Sequence, residues 1–160
     1  MRTRRAEPAD APVMARQMKV VVDEEEWLAT ESDASIADLT ERFREGFEQG
    51  NIAIVLEEEG EIVGGISVHP TGIDGVGSLG MSILAPHRGR GGGGQLLDAV
   101  LQAARESGYR KVELEVFPEN ARAVALYLAA GFEIEGLKRD HYPRRDGSIR
   151  SALLMARFLS

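Results

Sequence analysis

Two arginines and five glycines occupy seven consecutive positions, Arg88-Gly89-Arg90-Gly91-Gly92-Gly93-Gly94, directly before a segment with helical apolar spacing. Glycine adopts positive φ angles readily and, having no Cβ, lets a ligand approach the main-chain N–H groups. The first N–H groups of the following helix have no acceptor within it, and the helix dipole adds partial positive charge at that end. These features predict an anion site, most naturally for a phosphate or a pyrophosphate, rather than a merely flexible loop.

The same glycines also fit another phosphate-binding pattern. Gly89-x-Gly91-x-x-Gly94 satisfies the G-x-G-x-x-G fingerprint of dinucleotide-binding folds, and Glu113 or Glu115 lies near the distance expected of a ribose-binding acid. Such folds usually begin with this loop, whereas here it follows residue 87 and leaves little chain for further βα units. A Walker-type loop fits less well, because no Gly-Lys-Ser/Thr ends the run. A nicotinamide-dinucleotide-binding protein therefore stays as an alternative.

A second block, Asn120-x-x-Ala123-x-x-Leu126-Tyr127-x-x-x-Gly131-Phe132, follows the glycine loop. The two blocks in this order resemble the GNAT N-acetyltransferases, whose acyl-CoA pyrophosphate loop matches Arg88-x-x-Gly91-x-Gly93. The resemblance covers residues 78–137 closely and the rest of the chain in element order. It implies acetyl-CoA as cosubstrate, no metal, and acetyl transfer to a primary amine by direct attack in a ternary complex. An acyl-CoA-binding or sensing module without turnover is the second interpretation.

The resemblance also implies which residues hold acetyl-CoA. Main-chain amides of residues 88–94 would bind the pyrophosphate, with the two arginines adding charge, and the pantetheine arm would pair with main chain as an extra strand does. The predicted donor site consists of Ile83, Leu84, Ala85, Arg88, Gly89, Arg90, Gly91, Gly92, Gly93, Gly94, Asn120 and Tyr127. Gly92 departs from the family, which usually has an aliphatic residue there. We therefore expect a lost packing contact and a more mobile loop.

Tyr127 and Glu115 are the predicted catalytic residues. A reference pKa of about 10 keeps the Tyr127 hydroxyl protonated at neutral pH, so that it can donate to the departing thiolate. Glu115 is the candidate base for the amine, because it points to the face opposite Leu114 and Val116. Its setting, twelve residues before Tyr127, resembles the ribosomal-protein alanine acetyltransferases, where this glutamate is the base. A water relay, a solvent-facing Glu115 and a purely structural Tyr127 remain open.

Periodicity and turn residues predict the elements that carry these groups. A basic edge strand at residues 2–7 precedes two helices, the first capped by Asp10 and the second spanning residues 35–50. Short turns join the next three strands, at 52–56, 62–68 and 79–84, so these should be antiparallel. They are followed by a helix to Gly108, a strand at 112–116, a helix at 120–131 and strands at 132–137 and 149–158. The prediction is one α/β domain over residues 1–160 with a mixed, mostly antiparallel sheet. The resemblance adds that the two parallel middle strands splay apart, with about four helices on both faces.

Composition limits the function further. The chain has 160 residues, a formal net charge of −7 and no cysteine. Lack of cysteine excludes disulfides, thiolate metal sites and an acyl-cysteine intermediate. His69, His87 and His141 have no metal-ligand spacing. The acidic balance argues against a nucleic-acid-binding surface and mildly favours cationic partners. The acidic run at residues 23–26, Asp-Glu-Glu-Glu, forms either a solvated face or an acidic edge of the site that attracts an amine.

The sequence also indicates where the protein is expected to be located and what it binds. No apolar run approaches membrane-spanning length, and the basic residues after Met1 lack the apolar core of a signal peptide, so we expect a cytoplasmic protein without membrane contact. The expected partner is a small-molecule or peptide amine, and a homodimer is possible by analogy with the family. The identity of the amine is not readable from the sequence.

Overall fold

In the computed structural model, which describes residues 1–29 and 33–159, a seven-stranded mixed sheet carries helices on both faces. The strands are β1 (Arg2–Arg5), β2 (Ile52–Glu58), β3 (Glu61–Pro70), β4 (Val76–Ile83), β5 (Lys111–Val116), β6 (Glu133–Pro143) and β7 (Ile149–Phe158). The helices are α1 (Ala11–Asp23), α2 (Ile36–Glu48), α3 (Gly92–Glu106) and α4 (Ala121–Ala129). The predicted fold class and element order are confirmed.

The middle of the sheet opens between its two parallel strands. The strand order is β1-β2-β3-β4-β5-β7-β6, and neighbours are antiparallel except for β4 and β5, which the α3 crossover connects. These two strands pair at Val76–Lys111, Gly77–Val112 and Ser78–Glu113. Residues 79–83 and 114–116 continue without pairing to each other. The predicted splay is confirmed, and it leaves one edge of β4 without a hydrogen-bonded neighbour strand.

Strand β2 shows why the sheet needs helices on both sides. Ile52, Ile54 and Leu56 contribute to the core that α3 covers, whereas Ala53 and Val55 pack with residues of α1 and α2 on the opposite face. This double burial explains its continuous apolar run. The α3 residues predicted to form one apolar stripe are all buried: Leu96, Leu97, Val100, Leu101 and Ala104.

Local details differ from the sequence predictions at three places. Asp10 precedes α1 but does not cap it, because its carboxylate accepts hydrogen bonds from Arg4 at 2.8 and 2.9 Å and from the Glu7 N–H at 2.7 Å. Ile36, at the start of α2, is 44% exposed rather than facing the core. Strand β6 extends to Pro143, well beyond the predicted residue 137, because it pairs along β7, which lies between β5 and β6.

Within the described ranges, no helix is both long and apolar enough to cross a bilayer. The same residues contain no group of three or more His, Asp or Glu side chains placed to hold a metal ion.

Candidate active site

The start of α3 has the geometry of an anion cradle. Gly91 lies at φ +89°, in the left-handed region, and Gly89 precedes it at φ +72°. These angles turn the chain into the helix, whose first internal bond runs from the Gln95 N–H to the Gly91 carbonyl at 3.2 Å. The N–H groups of the first turn, residues 92–94, donate to no acceptor in the part of the chain that the structure describes. They are therefore available to an anion, as are the N–H groups of residues 89–91, which also have no acceptor among the described residues, whereas the Arg88 N–H donates to the Ala85 carbonyl.

Close packing fixes this turn in place. A Cβ at Gly92 would lie 2.5 Å from Leu56 Cδ2 of β2 and 3.2 Å from Met1 Sδ. A Cβ at Gly93 would lie 2.7 Å from Leu126 Cδ2 of α4. The expectation that Gly92 leaves a packing contact unfilled is wrong, because Leu56 occupies the space that an aliphatic side chain would take.

Both arginines of the loop are paired with carboxylates. Arg88 donates from both terminal nitrogens to Glu24 at 2.9 and 3.0 Å, and its Nε donates to the Ile83 carbonyl at 2.7 Å. Arg90 donates to Glu58 in the same bidentate way, at 2.6 and 3.0 Å. The expectation that these guanidiniums add net charge to the pyrophosphate site is therefore corrected: each is matched by a carboxylate. Their visible role is to fasten the loop to the ends of α1, β4 and β2.

Glu58 joins the loop by a second contact. His87 Nδ1 lies 2.5 Å from Glu58 Oε2, so the carboxylate is shared between His87 and Arg90. Hydrogen bonds from Arg90 and then from His87 hold the pKa of Glu58 below its usual value, so it is ionised at neutral pH.

The predicted pantetheine residues lie where β4 ends. Ile83 is the last residue of β4, and the Leu84 N–H donates to the Val63 carbonyl of β3 at 2.9 Å. Ala85 opens a short 3₁₀ turn, and its carbonyl accepts from the Arg88 N–H at 3.2 Å. The chain thus passes directly from the unpaired edge of β4 into the anion cradle.

Helix α4 positions the two residues of the second block. Asn120 caps it as predicted, its side-chain oxygen accepting from the Ala123 N–H at 3.2 Å. Tyr127 is 6% exposed and packs on Phe132, with ring centroids 5.7 Å apart. Burial raises the pKa of Tyr127 to about 12. Its hydroxyl forms no hydrogen bond to another described residue.

Glu115 belongs to a polar cluster that β6 completes. Its two carboxylate oxygens accept hydrogen bonds from Lys138 and from the Tyr142 hydroxyl. Partial burial disfavours the ionised form of Glu115, but the hydrogen bonds from Lys138 and Tyr142 outweigh it and lower its pKa. The hydrogen bond to Glu115, with some burial, raises the pKa of Tyr142 to about 12. Glu115 is thus a carboxylate at neutral pH, and a weaker base than an isolated one.

The β6–β7 hairpin holds the segment that follows α1. Arg150 donates to the Glu26 carbonyl at 2.5 Å and lies 3.9 Å from the centroid of the Phe117 ring. Arg144 donates to the carbonyls of Glu25 and Ala29 at 3.3 and 3.2 Å. The acidic run at residues 23–26 is therefore built into the site partly through its backbone, and Glu24 is engaged with Arg88 rather than exposed for an amine.

The sequence profile of the Acetyltransferase (GNAT) family matches residues 19–132. The chain belongs to this family. It is 33% identical over 135 residues to the uncharacterized N-acetyltransferase YjgM of Escherichia coli, covering 81% of this chain and 80% of YjgM. It is 30% identical over 104 residues to the ribosomal protein bS18-alanine N-acetyltransferase of Haemophilus influenzae, covering 65% of this chain and 70% of that protein. Other curated relatives are longer, and the chain spans 28% and 47% of the length of two of them.

Solved structures share the GNAT fold of this chain along nearly its whole length. A ribosomal-protein-alanine N-acetyltransferase from Brucella melitensis gives a TM-score of 0.90 at 24% identity, covering 99% of this chain and 100% of that one. The putative acetyltransferase yncA from Salmonella typhimurium, solved with acetyl-CoA, gives 0.89 at 19% identity, covering 100% and 94%. The resemblance drawn from the two sequence blocks is confirmed.

The GNAT assignment also decides between the two fingerprints of the glycine loop. A dinucleotide-binding fold requires a mostly parallel, doubly wound sheet. Among the strands that the structure describes, β4 and β5 alone run parallel. The dinucleotide interpretation is therefore wrong at the level of the fold.

Three partners in this GNAT site escaped sequence reasoning, namely Glu24, Glu58 and Lys138. Glu24 lies 64 residues from Arg88, Glu58 lies 32 from Arg90, and Lys138 lies 23 from Glu115. No local spacing links such pairs. The length of β6 is the nearest available signal, because a strand continued past residue 137 carries Lys138 and Tyr142 alongside β7 and towards Glu115.

Proposed function

We propose that this GNAT chain transfers the acetyl group of acetyl-CoA to a primary amine by direct attack in a ternary complex. The observation that carries the proposal is that, among the described residues, the main-chain amides of residues 92–94 have no acceptor and stand a few residues after the part of β4, residues 79–83, that has no pairing with β5. A diphosphate suits the first and an amide-bearing pantetheine arm suits the second. The family and the fold agree with this donor.

The chemistry requires one bond to form and one to break. The amine nitrogen attacks the thioester carbon, a main-chain N–H of the splayed strands stabilises the oxyanion, and the C–S bond then breaks. Tyr127 donates its hydroxyl proton towards the departing sulfur and regains one from solvent. Its pKa of about 12 keeps it protonated before each turnover.

Glu115 receives the proton that the amine loses. Because hydrogen bonds from Lys138 and Tyr142 lower its pKa, it is ionised before the amine binds. A carboxylate of lowered basicity suits two tasks: accepting a hydrogen bond from the N–H of the neutral amine, and accepting through a water molecule the proton that the nitrogen loses once it has attacked the thioester. The lysine contact also keeps the cluster from carrying an uncompensated negative charge.

The test measures thiol release from acetyl-CoA across a panel of amines: free amino acids, a polyamine, a lysine peptide and an alanine-terminated peptide. The last is included because one relative is named a ribosomal protein bS18-alanine N-acetyltransferase. We expect Tyr127→Phe to lower kcat by ~10²-fold with acetyl-CoA affinity unchanged, as removal of a general acid should. Tyr109→Phe, which removes a hydroxyl outside the proposed site, is the matched control and should leave kcat within about two-fold of the parent.

Three outcomes separate the interpretations. Thiol release that depends on both an amine and Tyr127 supports the proposal. Tight acetyl-CoA binding without thiol release by any amine would favour the sensing module instead. Undetectable binding of acetyl-CoA in calorimetry would overturn the donor assignment itself.

A further inference from the structure

Arg122 is an exposed cation in the first turn of α4, two residues after the Asn120 cap. It forms no hydrogen bond, ion pair or ring contact with the residues that the structure describes. An arginine without a partner is not unusual on a surface. Its position is what distinguishes it.

The guanidinium of Arg122 lies against the anion loop. A Cβ built on Gly89 would be 3.5 Å from Arg122 Nη1, 3.7 Å from Cζ and 3.9 Å from Nη2. These distances place the guanidinium beside Gly89, which stands two residues before the helix cap Gly91. The side chain of Arg122 therefore crosses from α4 to the loop that precedes α3.

The neighbouring arginines differ from Arg122 in their pairing. Arg88 and Arg90 each make a bidentate ion pair, with Glu24 and Glu58 respectively, so each pair carries no net charge. A dianionic or trianionic ligand at the cradle gains more from a cation that no carboxylate already neutralises. Of the guanidiniums named at this loop, Arg122 meets that condition among the described residues.

We propose that Arg122 binds phosphate oxygens of the CoA nucleotide and closes the anion cradle from the α4 side. The planar guanidinium supplies paired donors that match a phosphate, in addition to the main-chain donors of residues 92–94. The proposal rests on the donor assigned under Proposed function. It makes Arg122 a binding residue for the cosubstrate and gives it no part in acyl transfer.

The experiment compares Arg122→Gln with Arg16→Gln, which removes the same charge from an exposed position on α1, outside the site. Calorimetry at low salt measures the Kd of CoA, and steady-state kinetics measures KM for acetyl-CoA and kcat. We expect Arg122→Gln to weaken CoA binding by about 10-fold or more and to raise KM, with kcat at saturation unchanged, since a charge-assisted pair is lost. Arg122→Lys should retain part of the affinity, because lysine keeps the positive charge but lacks the paired donors of the planar guanidinium. Arg16→Gln should bind CoA like the parent.

Dephospho-CoA, which lacks the 3′-phosphate, separates the two phosphate sources. A penalty that persists with dephospho-CoA assigns Arg122 to the pyrophosphate, and a penalty that disappears assigns it to the 3′-phosphate; either supports the proposal. Parental affinity of Arg122→Gln for CoA would overturn it and leave the donor assignment intact. Failure of the parent chain itself to bind CoA would overturn both.

Discussion

At the scale of single residues, Tyr127 and Glu115 occupy environments that suit opposite proton transfers. Tyr127 is enclosed by core side chains, and burial raises its pKa to about 12. Glu115 lies on the more open face of β5, where two donors from β6 hold its pKa low. One group therefore keeps its proton and the other stays ionised across the neutral range. Pairs of groups whose environments separate their pKa values in this way are characteristic of acid–base sites.

These two environments predict an unusual pH profile. Glu115 is ionised and Tyr127 is protonated throughout the range from about pH 6 to pH 9.5, so neither titration limits the rate there. We expect kcat/KM to rise with pH as the substrate amine loses its proton, with no falling limb below about pH 10. The measurement is kcat/KM against pH for one amine identified by the thiol-release assay.

Glu115→Gln supplies the control for that profile. It should lower kcat/KM at every pH without moving the midpoint, because the midpoint belongs to the amine and not to Glu115. A bell-shaped profile with a descending limb near neutrality, or an acid limb that vanishes in Glu115→Gln, would contradict the assignment.

At the scale of elements, the sequence predicts the helices, strands and caps that depend on residues close together in the chain. The α3 stripe of Leu96, Leu97 and Val100 is periodic, and β5 alternates apolar and polar residues, so both elements follow from the sequence. The Ser35–Asp38 capping box forms as predicted, because both partners lie within one turn. Asp10 shows where this reasoning fails: its spacing suits a cap, but Arg4 offers a charged partner that spacing alone does not reveal.

The candidate site was predictable to the same degree. The glycine loop, Asn120 and Tyr127 lie in two compact blocks, and the structure places them at the start of α3 and along α4. The ion pairs of Arg88 and Arg90 depend on which strand and helix ends meet after folding. The sequence shows the charges of Arg88 and Arg90 but not the carboxylates that neutralise them, so sequence reasoning alone predicts that both arginines add charge to the ligand site.

The start of α3 yields a paired prediction on stability. Gly91 has φ +89°, so Gly91→Ala forces a left-handed alanine and should lower the free energy of unfolding by about 1–2 kcal/mol. Gly94 is helical with no atom within 4 Å of an added Cβ, so Gly94→Ala should raise the free energy of unfolding by roughly 0.5–1 kcal/mol. Urea denaturation measures both changes. Shifts in the same direction would show that φ at Gly91 does not limit the turn.

At the scale of the whole molecule, the sheet consists of two halves that share a short parallel junction. On one side α1 and α2 pack on β2–β4, and on the other β5 is completed by β7 and β6. The predicted cosubstrate site lies where these halves separate: the Glu115, Lys138 and Tyr142 cluster belongs to the C-terminal half, and α3 packs on the N-terminal half. Arg88–Glu24 and Arg150–Glu26 both attach the end of α1 and the segment after it, which links loop, helix and hairpin.

A second ionic network ties down the edge of the sheet and makes stability depend on pH. Arg4 of β1 donates to Asp10 before α1 and to Glu57 of β2, and Arg2 donates to Glu57 as well. Hydrogen bonds from Arg4 are the largest cause that lowers the pKa of both Asp10 and Glu57. Each carboxyl therefore binds fewer protons in the folded chain than in the unfolded chain at acidic pH. Their contribution is present above the unfolded pKa values, near 4, and is lost as pH falls through the lower folded values.

We therefore expect Arg4→Gln to lower the urea midpoint at pH 7 and to make stability less sensitive to pH between about 5 and 2. The physical reason is that glutamine cannot supply the charged donors that keep Asp10 and Glu57 ionised, so less stability remains to be lost in acid. Arg16→Gln, at an exposed position of α1, is the matched control, and its stability should depend on pH as that of the parent does. Urea titrations of the three chains at several pH values measure the difference in stability between the parent and Arg4→Gln. This difference, the gap, should be widest at pH 7 and should narrow on acidification. A gap of constant width would mean that Arg4 stabilises the β1 edge by packing of its aliphatic chain and not through the two carboxylates.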